Sequence, residues 1–83
     1  MKILKSKSWQ HEVTGLDGEA VLFGVRIFDY DWADTGEAVD VKDPLYGQSF
    51  RFPVYTVEID GKQHQFAAGE FSNCVWGFYV FKY

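Results

Sequence analysis

Cysteine is almost absent from this chain, which has 83 residues and a single cysteine, Cys74. A disulfide within the chain is therefore excluded, whereas small secreted domains usually depend on disulfides. The first residues lack the apolar run of a signal peptide, and no stretch approaches the about 18 apolar residues of a membrane span. We therefore expect a protein of the cytoplasm that has no membrane partner.

Positive charge is also scarce, with eight Lys and Arg against twelve Asp and Glu, a net charge of −4 and a pI near 4.9. Nucleic-acid binding takes most of its affinity from basic side chains that neutralise phosphates, so we expect no nucleic-acid partner. The three lysines near the N-terminus, Lys2, Lys5 and Lys7, are expected on a solvated edge strand. An acidic inhibitor that mimics nucleic-acid charge is a weaker alternative, because −4 is a small charge for that role.

Helical periodicity is missing as well, and the apolar residues alternate instead with the period of two that is typical of strands. A chain of this length has room for one core, so residues 1–83 are expected to form a single domain. We predict an all-β fold: a small antiparallel meander of five to six strands curled into a barrel-like or rolled sheet. The alternative is an α+β sheet with one short helix, near Trp32–Ala38 or Ala68–Asn73.

The alternating segments are bounded by turn-forming residues. Asp60-Gly61 is the clearest hairpin, because a type I′ turn needs positive φ at both central residues. Thr14–Gly18 is expected to close a hairpin, Asp31–Gly36 to form a loop and Asp43–Gly47 to form a turn. The predicted strands are Ile3–Val13, Glu19–Trp32, Glu37–Val41, Ser49–Asp60, Lys62–Ala68 and Cys74–Tyr83.

Two of these predicted strands contain a residue that interrupts regular strand pairing. Glu19–Trp32 is apolar at both alternate positions, which predicts a central strand covered on both faces, with Gly24 at a bend or bulge. Pro53 cannot donate a hydrogen bond to a neighbouring strand, so it is expected at an edge or a bulge.

Residues that could carry catalysis or bind a metal are few. Cys74 or Ser72 with His64 or His11 is the available nucleophile and base set, but the spacing carries no signature, and we expect Cys74 to be buried and unreactive. Two histidines and one cysteine lack the paired spacing of zinc sites. We therefore predict a protein that is not an enzyme and has no cofactor.

Six carboxylates crowd the middle of the chain and raise the question of Ca²⁺ binding. A calcium-binding EF-hand loop that begins at Asp29 fails at Ala33, Asp34 and Asp40, which stand where an oxygen ligand, a glycine and a glutamate are needed. We expect a solvated loop whose side chains cap turns, and no metal. The six are Asp29, Asp31, Asp34, Glu37, Asp40 and Asp43.

Aromatic residues make up 19% of the chain, more than the core of a small barrel should absorb. Some are therefore expected at the surface, where Trp and Tyr anchor protein interfaces. We predict a non-enzymatic binding or protein-interaction module, with another protein or a second copy of the chain as its partner, whose functional surface is Asp29–Tyr46. The alternative is a ligand binder or small enzyme with an aromatic pocket that uses His64 or an acidic residue between Asp29 and Asp43. The predicted binding residues are Tyr30, Asp31, Trp32, Asp34 and Tyr46.

Overall fold

The computed structural model describes the backbone of residues 2–4 and 8–82 and the side chains of residues 8–82. Within this part of the chain, strands are joined by tight turns, with a short 3-10 helix at Ile27–Asp29. No helix among the described residues has the length and apolar character needed to cross a lipid bilayer. The strands are β1 (Lys2–Leu4), β2 (Trp9–Leu16), β3 (Val21–Leu22), β4 (Val25–Arg26), β5 (Ala33–Lys42), β6 (Ser49–Ile59), β7 (Lys62–Ser72) and β8 (Val75–Phe81).

Six of these strands form one sheet in the order β1-β5-β6-β7-β8-β2. β5 to β8 form an antiparallel meander, β2 pairs antiparallel with β8, and β1 pairs parallel with β5. The prediction of an all-β, mainly antiparallel fold is therefore confirmed. β1 and β2 are the two edges of the sheet, so the described strands do not close into a barrel.

A single hydrogen bond shows how strongly the open sheet is rolled. The Tyr79 hydroxyl on β8 donates to the Lys42 carbonyl on β5 at 2.5 Å, although β6 and β7 lie between these strands. Neighbouring strands are about 4.8 Å apart, so β5 and β8 would be about 14 Å apart in a flat sheet. The sheet must curl for the two groups to meet, and the face that carries Tyr79 is its concave face.

The predicted hairpin at Asp60-Gly61 is confirmed as the turn between β6 and β7. The φ values of Asp60 and Gly61 are 51° and 79°, and Ile59 pairs with Lys62 across the turn. Two consecutive positive φ angles are the mark of a type I′ turn. Pro53 lies in β6, an inner strand, and not at an edge; it pairs with Ala38 where the register of β5 with β6 shifts, so of its two predicted positions it takes the one beside a bulge.

The segment Glu19–Trp32 is not the central strand that its apolar pattern predicts. Positive φ at Phe23 (56°) and Gly24 (78°) reverses the chain, so that only the short strands β3 and β4 remain. The segment packs against one face of the main sheet, where Leu22 and Ile27 are buried. Its apolar residues do not alternate between two covered faces, because the segment is itself the layer that covers the sheet.

The first predicted strand, Ile3–Val13, is divided between β1 and β2, which lie at opposite edges of the sheet. The hairpin predicted at Thr14–Gly18 is wrong, because β2 extends to Leu16 and pairs with β8 instead of with the next segment. The turn that follows takes the chain out of the sheet. Of the three lysines expected on an edge strand, Lys2 lies in β1, and Lys5 and Lys7 lie outside the described residues.

β5 occupies part of the predicted loop Asp31–Gly36 and is longer than the predicted strand Glu37–Val41. The loop-like residues form a bulge, because the register with β6 shifts between Asp34 and Ala38. Gly36 has a φ of 80°, and its N–H donates to Asp34 Oδ1 at 2.8 Å. Residues that are typical of a loop therefore serve here to bend a continuous strand.

Two apolar clusters cover the two faces of the sheet. The convex face packs beneath the β3–β4 segment, and its buried residues are Ala20, Leu22, Ile27, Val57, Ile59, Phe66, Ala68 and Phe78. The concave face forms a second cluster, whose buried residues are Trp9, Val39, Val41, Phe52, Val54, Ala67 and Tyr79.

A pair of glycines lets aromatic rings lie directly on the concave face. Gly69 on β7 and Gly77 on β8 are cross-strand partners. A Cβ added at Gly69 would lie 2.3 Å from the Phe52 ring, and one added at Gly77 would lie 2.1 Å from the Phe71 ring. Both distances are shorter than van der Waals contact allows, so the rings occupy the space that side chains would fill at these two positions.

We expect Gly69→Ala to lower the free energy of unfolding by about 1–3 kcal/mol, the usual range for overpacking. Phe52 is 5% exposed, so its ring is enclosed by its neighbours and must displace them to make room for a new methyl group. Gly77→Ala is the matched control and should cost less, because half-buried Phe71 meets the new Cβ with the tip of its ring. Chemical denaturation measures both variants, and a Gly69→Ala protein as stable as the wild type would refute this account of the packing.

Candidate functional site

The structure separates the five predicted binding residues. Tyr30 and Trp32 are half-buried and pack against the convex-face cluster, while Asp31 and Asp34 are exposed nearby. Tyr46 lies beyond the other end of β5, about 25 Å away along the strand at about 3.3 Å per residue. These residues therefore do not form one patch, and Tyr46 lies apart from the other four.

Trp32 has the surroundings of a packing residue. Its Nε1–H donates to the Ile27 carbonyl at 2.9 Å, which ties the β3–β4 segment to the start of β5. Five rings surround the indole at centroid distances of 5.1 to 6.0 Å, namely Phe28, Tyr55, Phe66, Trp76 and Phe78. This side chain holds the β3–β4 segment on the sheet, which is a structural role and not that of an interface anchor.

Tyr46 and its neighbour Leu45 project from the turn between β5 and β6, residues Asp43–Gly47, which we call the hairpin tip. Their exposed fractions, 86% and 81%, are the largest among the exposed large apolar residues. Burial of such side chains is worth about 1.5–3 kcal/mol each, and neither gains it within the chain. The hairpin tip therefore offers two unused apolar anchors.

The hairpin tip is held in one shape by hydrogen bonds of Asp43. Its N–H donates to the Gln48 carbonyl at 2.8 Å, and its carbonyl accepts from the Gly47 N–H at 2.9 Å. Its side-chain Oδ1 accepts from the Leu45 N–H at 3.1 Å, the pattern of an Asx turn. Leu45 and Tyr46 are therefore presented on a preformed turn, which reduces the entropy that a partner would have to overcome.

A cleft of about 550 Å³ lies beside the hairpin tip on the concave side of the sheet. Its most buried lining residues are Trp9, Val41 and Tyr79, and Pro44 and Gly47 of the hairpin tip line it as well. The cleft therefore combines an apolar floor with a polar rim. The remaining lining residues are His11, Asp40, Lys42, Asp43 and Ser49.

Tyr79 fixes the floor of the cleft. Burial, with a smaller contribution from the Asp43 carboxylate, raises the pKa of its phenol to about 12, so the hydroxyl remains a donor to the Lys42 carbonyl at neutral pH. The His11 ring meets the Tyr79 ring edge to face at 5.4 Å, and His11 Nε2 shares a hydrogen bond with Thr14 Oγ1 at 2.7 Å. These contacts give the floor a defined shape.

Charges of both signs lie around the cleft. Arg51 Nε donates to Asp40 Oδ1 at 2.8 Å, and this hydrogen bond lowers the pKa of the Asp40 carboxyl and raises that of the guanidinium. Lys42 and Asp43 follow along the chain, so these four residues have no net charge at pH 7. The net charge of −4 therefore resides in the rest of the chain.

The acidic stretch is used mainly for turns and ion pairs. Asp34 and Asp43 cap turns, as predicted, while Asp29 lies 4.0 Å from Arg26 and Asp40 pairs with Arg51. Among the described residues, no group of three or more His, Cys, Asp or Glu side chains is placed to hold a metal ion.

Cys74 was expected in the interior, and this prediction is wrong. It is exposed in the turn between β7 and β8 with a φ of 63°, because β8 begins one residue later at Val75. The turn is short because β7 continues to Ser72, and Gly69 lies within that strand, where its missing side chain makes room for the Phe52 ring. His64, one of the two candidate bases, stacks on Phe23 at a centroid distance of 4.6 Å.

No protein-family model, curated protein or solved structure matches this chain. The candidate site therefore depends on geometry alone. Sequence reasoning found Tyr46 but missed Leu45, Trp9 and Tyr79. Leu45 could have been identified from the turn-forming residues Asp43–Gly47. The cleft could not have been, because no local sequence pattern brings β2, β5 and β8 together.

We expect Trp32→Ala to destabilise the fold by about 3 kcal/mol, the lower end of the usual cost of deleting a core Trp, because Trp32 is half-buried. Thermal and chemical denaturation measure the loss. Asp31→Ala is the neighbouring control and should leave stability nearly unchanged, because Asp31 is exposed. If Trp32→Ala melted at the wild-type temperature, Trp32 would be a surface anchor after all.

We expect Tyr79→Phe to cost about 1–3 kcal/mol, because it leaves the Lys42 carbonyl without this donor. The cost should depend on pH. A phenol with a raised folded-state pKa of about 12 stabilises the fold below its unfolded pKa near 10 and loses this contribution as the pH rises through about 12. Denaturation at pH 8 and pH 11.5 should show the two proteins converging, and a constant difference would argue against this role.

Proposed function

We propose that this chain is a small, non-enzymatic protein-interaction module that docks through its hairpin tip. The observation that carries this proposal is the 81% and 86% exposure of Leu45 and Tyr46 on a hydrogen-bonded turn. Tyrosine is enriched among the residues that dominate binding energy at protein interfaces. A preformed turn adds affinity because little order is lost on binding.

The electrostatics of the hairpin tip support a protein partner. A nucleic-acid partner would need a basic surface, whereas the charged residues that line the cleft are Lys42, Asp43 and Asp40, of which Asp40 is paired with Arg51. An inhibitor that mimics nucleic acid would need a strongly acidic surface, which these charges do not provide. A mixed, neutral rim around apolar anchors is typical of protein interfaces. The single cysteine accords with a cytoplasmic location, which belongs to the same proposal.

A second candidate function, the binding of a small ligand, is favoured by the cleft itself. Its volume of about 550 Å³ lies in the range of ligand sites. We rank it lower because none of the described lining residues has a buried side-chain polar atom left without a hydrogen-bond partner, of the kind that would orient a bound ligand.

Photo-crosslinking tests the proposed function directly. Benzoylphenylalanine replaces Tyr46 in the chain expressed in its own cells, and the control variant carries the same group at exposed Gln63, near the β6–β7 hairpin. We expect discrete protein adducts from position 46, absent from position 63 and competed by excess wild-type chain but not by Tyr46→Ala. Equal adduct patterns from both positions would refute docking through the hairpin tip.

A further inference from the structure

We propose that the occupant of the cleft is the hairpin tip of a second copy of this chain, in a symmetric dimer in which each copy inserts Leu45 and Tyr46 into the other. This inference rests on the proposed function and names the partner. The protruding and the concave parts of the site lie side by side.

The hairpin tip and the cleft are immediate neighbours. Pro44 and Gly47 line the cleft, while Leu45 and Tyr46, between them in the same turn, project into solvent. A two-fold axis brings a surface patch onto its own copy, so the patch must be complementary to itself. A protrusion next to a recess satisfies this requirement, because each protrusion then faces the recess of the other copy.

The size of the site suits such a contact. An aromatic side chain buries about 150–250 Å² on insertion, and the leucine adds a comparable amount. Two inserted tips together with the cleft surfaces that they cover bury on the order of 1,200 Å², the lower end of specific protein interfaces. The cleft volume of about 550 Å³ belongs to the size class that encloses drug-sized ligands. A buried area of about 1,200 Å² predicts a reversible dimer rather than a permanent one.

The charge distribution favours a second copy over a basic partner. Asp40, Lys42, Asp43 and Arg51 balance one another, although the chain as a whole carries −4. Two copies that meet here therefore bring little net charge into contact. Lys42 and Asp43 also lie side by side on the rim, so a two-fold contact allows each to face the opposite charge of the other copy.

Sedimentation equilibrium of the whole chain between about 1 μM and 1 mM tests the dimer. We expect reversible association in the micromolar range, weakened about thirtyfold or more by Tyr46→Ala and also by Leu45→Ser. Val21→Ala is the matched control, since Val21 is 52% exposed but lies near the far end of β2, and it should leave association unchanged. Association should hold or strengthen as salt rises from about 50 to 500 mM, because net repulsion is screened.

Amide NMR spectra recorded on dilution test the reciprocal geometry. Signals of His11 and Ser49 in the cleft should shift together with that of Tyr46, and Tyr46→Ala should abolish all of these shifts. Shifts at the hairpin tip without shifts in the cleft would overturn the proposal. A wild-type chain that is monomeric at 1 mM would also overturn it. If that monomer still gave position-46 adducts with other proteins, the proposed function would stand without the dimer.

Discussion

The packing of aromatic rings on the backbone at Gly69 and Gly77 is the constraint on which the concave half of this structure depends. Because neither residue has a side chain, Phe52 and Phe71 lie directly on the sheet at that point. Missing side chains on one face also allow a sheet to bend toward that face. Such bending brings β8 close enough to β5 for Tyr79 to reach the Lys42 carbonyl. The floor of the cleft and the position of the hairpin tip both follow from this curvature.

The parts of the fold that sequence predicted are those fixed by local chemistry. The Asp60-Gly61 turn and the meander from β5 to β8 follow from adjacent alternating segments joined by short turns. The pairing of β2 with β8 joins residues 59 to 72 positions apart in the chain, and no local pattern encodes it. The prediction of a central strand at Glu19–Trp32 was wrong for a different reason. Period-two alternation cannot distinguish a strand between two layers from a chain that is itself the covering layer.

The candidate site was predictable only in part, because sequence does not reveal which aromatic side chains are enclosed. Trp32 and Tyr46 are both aromatic residues within one acidic stretch, yet one is surrounded by five rings and the other is 86% exposed. The difference arises at the ends of β5. Its first residues follow the covering segment, which draws Trp32 inward, whereas its last residue leads into a turn with no layer above it. The turn-forming residues Asp43–Gly47 lie at the end of β5 where the aromatic side chain is exposed.

The stability of the hairpin tip does not explain the side chains that it carries. Asp43 supplies the hydrogen bonds that close the turn, through its N–H, its carbonyl and its carboxylate, and Gly47 supplies the positive φ of 68°. Small polar residues at positions 45 and 46 would serve such a turn as well, and they would avoid exposing apolar surface to water. Leu45 and Tyr46 therefore add little to the stability of the turn. What they add is a rigid apolar protrusion beside a recess, and burial of that protrusion requires a second molecule.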